Sequence, residues 1–530
     1  MNTNLGCTHT EINWSDTADV IVVGFGGAGA AAALAAAKEG ASVLILEKAP
    51  RQDAGGNTAA AGGGMMAVDP TRKEAARVFF KKQVCASTTD EMIDGHIDEM
   101  STTAQWLESV GIKTVVTEVG PGSSYREVEG AECMHTMVKM ACRACGRKGC
   151  AGGSAMAKGC SGYGLFEALR DETEKYDCIK VAYEAPANRL VFDVETKEVL
   201  GVIAQINGES VALCARKGVV LALGGFENNA DMLENYCNVA FPTFSTGTPY
   251  NTGDGLPMVM EVGAKLRGMQ AVEWGCYASL KGSQEAQTSL GLDFGTPNAW
   301  NGVVLVNRDG QRFVNETAPV HKHQPGMMRP LHEKIQIPEL AIKPETMEYA
   351  NLPMYMIFDE KRRQEGALMT GAAAVSKTQW APFHSEFVWS DDNSAEIERG
   401  WIIKADTLEQ LAKKMGINAQ NLTATVAQYN QACAEETADN MQRSLYMQPI
   451  QEGPFYALEA CMSLINTQGG PVHDGKHRVI DHAGNPIKRL YSGGEFGSFY
   501  SRLYHGAGNL PEALGTRVAG TQAAQLDSWV

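Results

Sequence analysis

The chain has 530 residues, 44% of them hydrophobic and 20% charged, with a formal net charge of −16. That length exceeds one simple core, so two or more domains are expected, and the composition is globular rather than disordered. The acidic balance argues against nucleic acid or an anionic membrane as a partner. No apolar run has the length of a bilayer-spanning helix, and residues 1–19 lack the basic-then-apolar pattern of an export signal. The 13 cysteines therefore read as thiols or metal ligands rather than disulfides, and the expected compartment is the cytoplasm.

The first element is Val20-Ile21-Val22-Val23, four β-branched residues that read as a buried parallel strand. Gly24-Phe25-Gly26-Gly27-Ala28-Gly29 follows, and then an alanine-rich helix to Lys38. In this G-x-G-x-x-G pattern Gly24 allows the tight turn, Gly26 admits a pyrophosphate, and Gly29 lets helix and strand pack closely. The phosphates then meet free N–H groups at the helix N-terminus. A second buried strand, Val43-Leu44-Ile45-Leu46, ends in Glu47, where an acid is expected to hold a ribose hydroxyl, with Lys48 beside it. A dinucleotide site outweighs a merely structural turn. Gly55-Gly56-Asn57-Thr58 and Gly62-Gly63-Gly64 come directly behind, where a nicotinamide enzyme would place another strand and helix. Such a loop lets backbone approach a flat ring, and points to FAD.

Residues 70–112 read as helical, with Gly111 as a stop signal. The stretch 121–162 is rich in Gly and Cys, including Cys133, Cys142, Cys145, Cys150 and Cys160. Its short spacings suit a [4Fe–4S] cluster on Cys133, Cys142, Cys145 and Cys150. They match no standard ferredoxin or zinc pattern, and the interleaved basic residues equally suit reactive or plain reduced thiols. These alternatives stay open. A helix at 165–177 and strands at 181–194 and 201–213 precede Gly218–Phe226, a buried strand ending in Gly224-Gly225. Ala185, Ala222, Asn251 and Asp254 are further candidate cofactor contacts in this half.

Beyond residue 255 the texture is less regular. Residues 302–316 read as strand–turn–strand around Asp309-Gly310, and 406–434 as helical. In the tail come Asn466-Thr467-Gln468-Gly469-Gly470, Gly493-Gly494-Glu495 and Tyr504-His505-Gly506-Ala507-Gly508-Asn509-Leu510, the last opening a helix. N–H groups there suit an oxygen that gains charge.

Taken in order, these motifs resemble the fumarate reductase/succinate dehydrogenase flavoprotein family, which includes fumarate and urocanate reductases and 3-ketosteroid dehydrogenases. The resemblance rests on Gly24-x-Gly26-x-x-Gly29, Glu47, Gly55-Gly56-Asn57, the 306–316 stretch ending in Asn315-Glu316, Asn466–Gly470, Gly493-Gly494-Glu495 and Gly508-Asn509-Leu510. It implies an α/β fold: a Rossmann-type FAD-binding domain, split in sequence, with an inserted α+β capping domain. The expected boundaries are 1–255 (with a Cys-rich insertion at about 130–162), 256–454 and 455–530. It also implies extended FAD and hydride exchange at flavin N5 across a carbon–carbon bond. By motif, Glu47 would hold the adenosine ribose, Asn57 and Thr58 the ring, Glu495 the ribityl side, and Asn509-Leu510 the pyrimidine edge.

The departures narrow the substrate. Fumarate-reducing members carry a proton-delivering arginine where this chain has Thr317–His321, a histidine where Asn466 stands, and a clamping arginine where His505 stands. A dicarboxylate calls for bidentate cations, so their loss argues against fumarate. Tyr504 and Gly508 instead match the spacing of the ketosteroid dehydrogenases, whose tyrosine OH and glycine N–H grip a ketone. A neutral donor pair suits an enone.

The expected protein is an FAD-dependent oxidoreductase acting on the C=C bond of an enone, a bulky 3-ketosteroid-like substrate favoured. His321 is the candidate proton donor. Tyr500 and Tyr277 are weaker ones, and His505 is a neighbouring group or filler. Met65, Met66, Met327 and Met328 line a pocket or fill the core. The rivals are a reductase of an unsaturated acid, needing Arg308, Arg329 or Arg502 at the flavin, and an electron-transfer flavoprotein using the cysteine segment. With no haem motif, the electron donor or acceptor is expected to be external. Direction and oligomeric state are not readable.

Overall fold

The structure is a computed structural model, which describes residues 12–119, 128–141, 161–240, 243, 245, 247–278, 288–289, 300–317, 341–369, 388–502 and 504–530. The chain divides into two compact units, residues 1–272 with 465–530 and residues 273–464.

Val20–Val23 has no polar face and is stable only when covered on both sides, which is where it lies. It forms the end of β1 (Trp14–Val23), with all four residues 2% exposed or less. Parallel to it run β2 (Val43–Leu46), in the register Val20–Val43 to Val23–Leu46, and the strand Glu209–Leu221. The parallel sheet extends through Ile179–Ala182 beside β2 and Pro486–Ser492 beside Glu209–Leu221. The antiparallel strands Ala187–Asp193, Glu198–Ile206 and Arg478–Ile480 complete eight. This is the expected α/β architecture, with segments from both ends of the chain in one sheet. Between β1 and β2 runs α1 (Gly27–Lys38). Its alanines permit close packing: a Cβ at Gly520 of the helix Arg517–Ala524 would lie 2.0 Å from the Ala32 carbonyl oxygen.

Several element boundaries differ from those the sequence suggests. The helical stretch 70–112 is broken into a 3-10 turn at Pro70–Arg72 and helices Lys73–Lys81 and Asp90–Ser109. Thr89 starts the last by capping Met92 N–H at 3.3 Å. The strands expected at 201–213 and 218–226 overlap one continuous strand of 13 residues, Glu209–Leu221.

The unit 273–464 carries an antiparallel sheet that includes Val304–Val306, Met354–Asp359, Ile402–Ala405 and the first part of the strand Phe455–Thr467, paired through residues 455–460. Helices Leu408–Met415 and Ala419–Ala434 cover it through Leu411, Leu422, Val426 and Tyr429. The expected strand–turn–strand at 302–316 keeps its turn but loses its second arm, reduced to a single bridge from Val306 to Arg312. Arg312 and Glu316 are drawn instead into a buried ion cluster.

Candidate active site

The first motif folds as its glycines require. Gly24 has φ +100°, and a Cβ there would lie 2.2 Å from the Ala222 carbonyl oxygen. α1 opens at Gly26 with no side-chain cap and no acid in its first turn. Gly27 N–H goes to Thr58 Oγ1 at 3.1 Å, so Thr58 serves the loop itself. An uncapped helix start of this kind is a donor set for phosphate. Gly55 is bridged to Gly26, and a Cβ at Gly494 would lie 3.0 Å from that of Ala28. The second and last glycine motifs thus meet the first.

Glu47 is buried. Its two carboxylate oxygens accept Phe25 N–H and Ala49 N–H, each at 2.7 Å, and each keeps lone-pair capacity for a hydroxyl donor. Burial pushes its carboxyl above the ordinary value, against the pull of those N–H groups. Ala185 N–H donates to the Glu47 carbonyl at 2.9 Å. Lys48 Nζ is bound to Thr252 Oγ1 at 2.6 Å and Asp254 Oδ2 at 2.7 Å, so two further candidates form one pair.

A second group gathers around Asn57. Its amide nitrogen donates to Glu227 Oε1 at 2.7 Å and Glu495 Oε2 at 2.9 Å, and its oxygen accepts Thr248 N–H at 2.9 Å. Asn251 donates to Glu227 at 2.8 Å, Thr467 Oγ1 to Glu227 at 3.2 Å, and Asn466 to Glu495 at 2.8 Å. Burial raises both carboxyls, Glu495 far more because the Glu227 charge lies beside it. The double glycine makes room for this cluster: a Cβ at Gly225 would lie 2.3 Å from both Glu227 Oε2 and Thr467 Oγ1, and one at Gly224 2.5 Å from Asn251 Oδ1. Gly63 and Gly64 likewise meet protein neighbours, Ser161 and Met137. Gly62 lies in the same loop between the Gly56–Ala60 helix and the strand Met65–Ala67. Sequence reasoning missed Glu227, although an acid directly after Gly224-Gly225-Phe226 was the available signal.

Tyr504 and Gly508 are brought together, but in an unexpected way. The Gly508 N–H donates to Tyr504 Oη at 2.9 Å, and Asn509 N–H reaches it at 3.2 Å. The glycine N–H thus supports the phenol instead of standing open beside it. Leu510 is buried. Gly508 has ordinary dihedrals, and it is a glycine because a Cβ would lie 2.2 Å from Tyr500 Oη. Tyr500 is fully buried, and its hydroxyl meets His96 Nε2 at 2.8 Å. This corrects its reading as a substrate acid, since burial holds the phenol far above its ordinary pKa and its oxygen is engaged inside the protein. His505 is buried between Phe79, Phe80 and Tyr500, with Nδ1 at 3.0 Å from Gln83 Oε1. Met65 and Met66 are core residues. His321, Met327, Met328 and Arg329 lie outside the described residues, as does the Tyr277 side chain. Arg308 pairs with Glu348 at 3.2 Å at the surface, and Arg502 is exposed.

Cys133 is buried in an apolar cluster with Phe79 and Met134, where burial pushes its thiol up to about 12. That setting disfavours the thiolate a metal requires. Cys142, Cys145 and Cys150 lie outside the described residues. Among the described residues, no group of three or more His, Cys, Asp or Glu is placed to hold a metal, and no helix is long and apolar enough to cross a membrane.

An NADH:acrylate oxidoreductase of Vibrio harveyi is 32% identical over 308 residues, 57% of this chain and 26% of that protein. A 4-oxocyclohexanecarboxylate 2-dehydrogenase of Sinomonas cyclohexanicum is 28% identical over 350 residues, 62% of this chain and 54% of its own. The chain thus spans about half, or less, of the length of these curated relatives. The fold matches that of a 3-ketosteroid delta1-dehydrogenase from Sterolibacterium denitrificans, solved with 1,4-androstadiene-3,17-dione. The TM-score is 0.74 at 22% identity, over 96% of this chain and 100% of that one. A family model described as "FAD binding domain" matches residues 19–510, and the chain belongs to that family of FAD-binding flavoproteins.

Proposed function

We propose that this protein is an FAD-dependent oxidoreductase acting on a C=C bond conjugated to a ketone, with a bulky 3-ketosteroid-like substrate favoured. The supporting observation is the Tyr504 phenol, whose oxygen takes the N–H groups of Gly508 and Asn509, with His505 where a clamping arginine would stand. The names of the relatives, which include substrates with a ketone or an acrylate, lie in the same chemical range.

The open start of α1, the Glu47 carboxylate, and the cluster of Asn57, Glu227 and Glu495 would hold FAD, which supplies a hydride-exchanging centre when bound. The chain's own residues do the rest. A phenol oxygen that accepts two N–H bonds is a stronger O–H donor, because those bonds stabilise the charge it would carry. Tyr504 would donate to the carbonyl oxygen and meet the charge that develops there as the β-carbon gains hydride. His321 remains our assignment for delivering the α-proton. The electron partner would be external, and the cytoplasm the working compartment.

A reductase of unsaturated acids is the second reading, favoured by the acrylate-linked relative and by Arg267. That guanidinium is buried, donates to Gly497 O at 3.0 Å and, among the described residues, leaves Nε without a protein partner. Anaerobic reoxidation of the reduced protein, followed by absorbance, separates the readings. Fast reoxidation by a 3-keto-4-ene steroid supports the enone, and reoxidation only by acrylate or fumarate overturns it. A [4Fe–4S] cluster on Cys133, Cys142, Cys145 and Cys150 is a third proposal, and iron and sulfide assay of anaerobically purified protein decides it.

A further inference from the structure

Behind Tyr504, taken as the group that holds the carbonyl, lies a buried line of ionisable side chains that this role does not use. Tyr500 Oη meets His96 Nε2 at 2.8 Å, and His96 Nδ1 lies 3.9 Å from Glu99 Oε2. The other Glu99 oxygen meets His477 Nε2 at 2.7 Å, and His477 Nδ1 lies 2.9 Å from the Ser492 carbonyl oxygen. A carbonyl oxygen only accepts, so Nδ1 of His477 carries a proton. Its contact with Glu99 is then an ion pair: the Glu99 charge holds His477 above its ordinary value despite burial, and His477 holds Glu99 below.

His96 goes the other way, since burial holds it below its ordinary value. A neutral His96 turns Nδ1–H toward the Glu99 carboxylate, leaving Nε2 to accept the Tyr500 O–H. A carboxylate thereby sets an imidazole tautomer that in turn aims a hydroxyl. At the far end, Tyr500 Oη fills the space a side chain at 508 would take, 2.2 Å from the Cβ position. Its ring packs edge-on against Tyr504, with centroids 5.0 Å apart. The position of Tyr500 therefore decides where Gly508 N–H sits and, through that bond, where the Tyr504 hydroxyl points.

We propose, resting on the carbonyl-holding role of Tyr504, that His96 and Tyr500, backed by Glu99, are positioning residues for the Tyr504–Gly508 pair, and that they work only while His96 is neutral. The charged or titratable groups facing His96 are Glu99 on its own helix, His477 behind it, Arg267 and Tyr500. Those facing Tyr500 are His96, Glu99, Tyr504, Cys133, His505 and Glu512. On protonation Nε2 of His96 becomes a donor to Tyr500 Oη, the contact reverses and the Tyr500 O–H must turn away from it, so the aim of the phenol beside Gly508 changes as pH falls.

The test uses the FAD-loaded protein and 4-nitrophenol, whose oxyanion resembles an enolate. Binding is read from the probe's absorbance between pH 5 and 8 and corrected for the probe's own ionisation. Tyr504→Phe weakens binding at least tenfold at every pH. Tyr500→Phe and His96→Gln each weaken it about tenfold at pH 7, as expected for one lost hydrogen bond in a desolvated site. Both also abolish the loss of affinity that the wild type shows on the acid side, which a purely packing role would not move. Wild-type affinity in both variants, or an unchanged acid limb, overturns the proposal. Undiminished binding by Tyr504→Phe overturns the reading of Tyr504 itself, and this inference with it. Nitrogen-15 NMR of the wild type adds a readout without substitution, and a charged His96 at pH 7 overturns the proposal.

Discussion

In the unit 273–464, two buried arginines face two buried carboxylates; in the other unit, two buried carboxylates face only amides and a hydroxyl. Arg312 binds both oxygens of Glu316, at 2.9 and 2.6 Å, and Asp439 at 2.6 Å. Arg443, fully buried, adds Glu316 at 3.1 Å and the carbonyls of Trp300, Val303, Leu445 and Tyr446. Both guanidiniums lie over the Tyr429 ring. Charge and hydrogen bonding close within that cluster, which pins the 300–316 loop to residues 439–446. Around Asn57, by contrast, Glu227 and Glu495 have amide and hydroxyl donors but, among the described residues, no cation bonded to them. Burial then raises both carboxyls. A closed ion cluster serves the fold alone. An open one keeps its charge state adjustable, a property common at functional sites.

The largest expected effect breaks the closed cluster. Arg443→Met leaves Glu316 and four carbonyls short of donors and costs on the order of 3–5 kcal/mol. Calorimetry should show a large loss of thermal stability, and a variant melting with the wild type would refute the staple.

Next comes the titration of the buried acids. Glu512 accepts Phe499 N–H and the Ser498 hydroxyl, yet burial pushes it up to about 7 from an ordinary 4.5. A raised carboxyl stabilises the fold fully below pH 4.5 and loses that contribution as pH climbs toward 7, on the order of 3 kcal/mol. Denaturant midpoints should fall between pH 5 and pH 8 for the wild type and stay flatter for Glu512→Gln; equal declines would exclude Glu512 as the cause.

Tyr504→Phe should slow turnover of an enone about a hundredfold, the usual loss for one oxyanion donor, with FAD content unchanged. Stopped-flow reoxidation measures it, and a rate within threefold of wild type would remove Tyr504 from the chemistry. The smallest effect is that of Glu227→Gln. It keeps the shape and one acceptor, so it should cost under about 1 kcal/mol at pH 5. Above neutrality it should match or exceed the wild type, because the raised Glu227 carboxyl loses its stabilising contribution as pH rises. A constant deficit across pH would show that Glu227 is charged throughout.

Much of this was legible residue by residue. Gly24, Gly26, Gly29 and Glu47 were readable because strand, turn, helix and second strand follow one another within 28 residues, from Val20 to Glu47. Tyr504 and Gly508 were readable as a spacing, but not the bond between them. Tyr500 looked like a candidate acid because phenols serve that role; only its burial against His96, on a helix 404 residues earlier, shows where its hydroxyl goes. Glu227 was passed over because it sits alone in the sequence, and its meaning comes from Asn57 and Glu495.

The sequence by itself determined the dinucleotide fold and the family, because hydrophobic periodicity and glycine geometry act over one or two turns of chain. It also set the residue types at 317–321, 466 and 505, the places where the resemblance would put the arginines and histidine of an acid-binding site. Tertiary structure alone decided which carboxylates share a neighbour, which histidine is held below its ordinary pKa and which above it, and which tyrosine meets backbone N–H groups. Those properties depend on desolvation and on partners within about 4 Å, and residues 57, 227, 466 and 495, or 96, 477 and 500, become neighbours only when the sheet brings distant segments side by side.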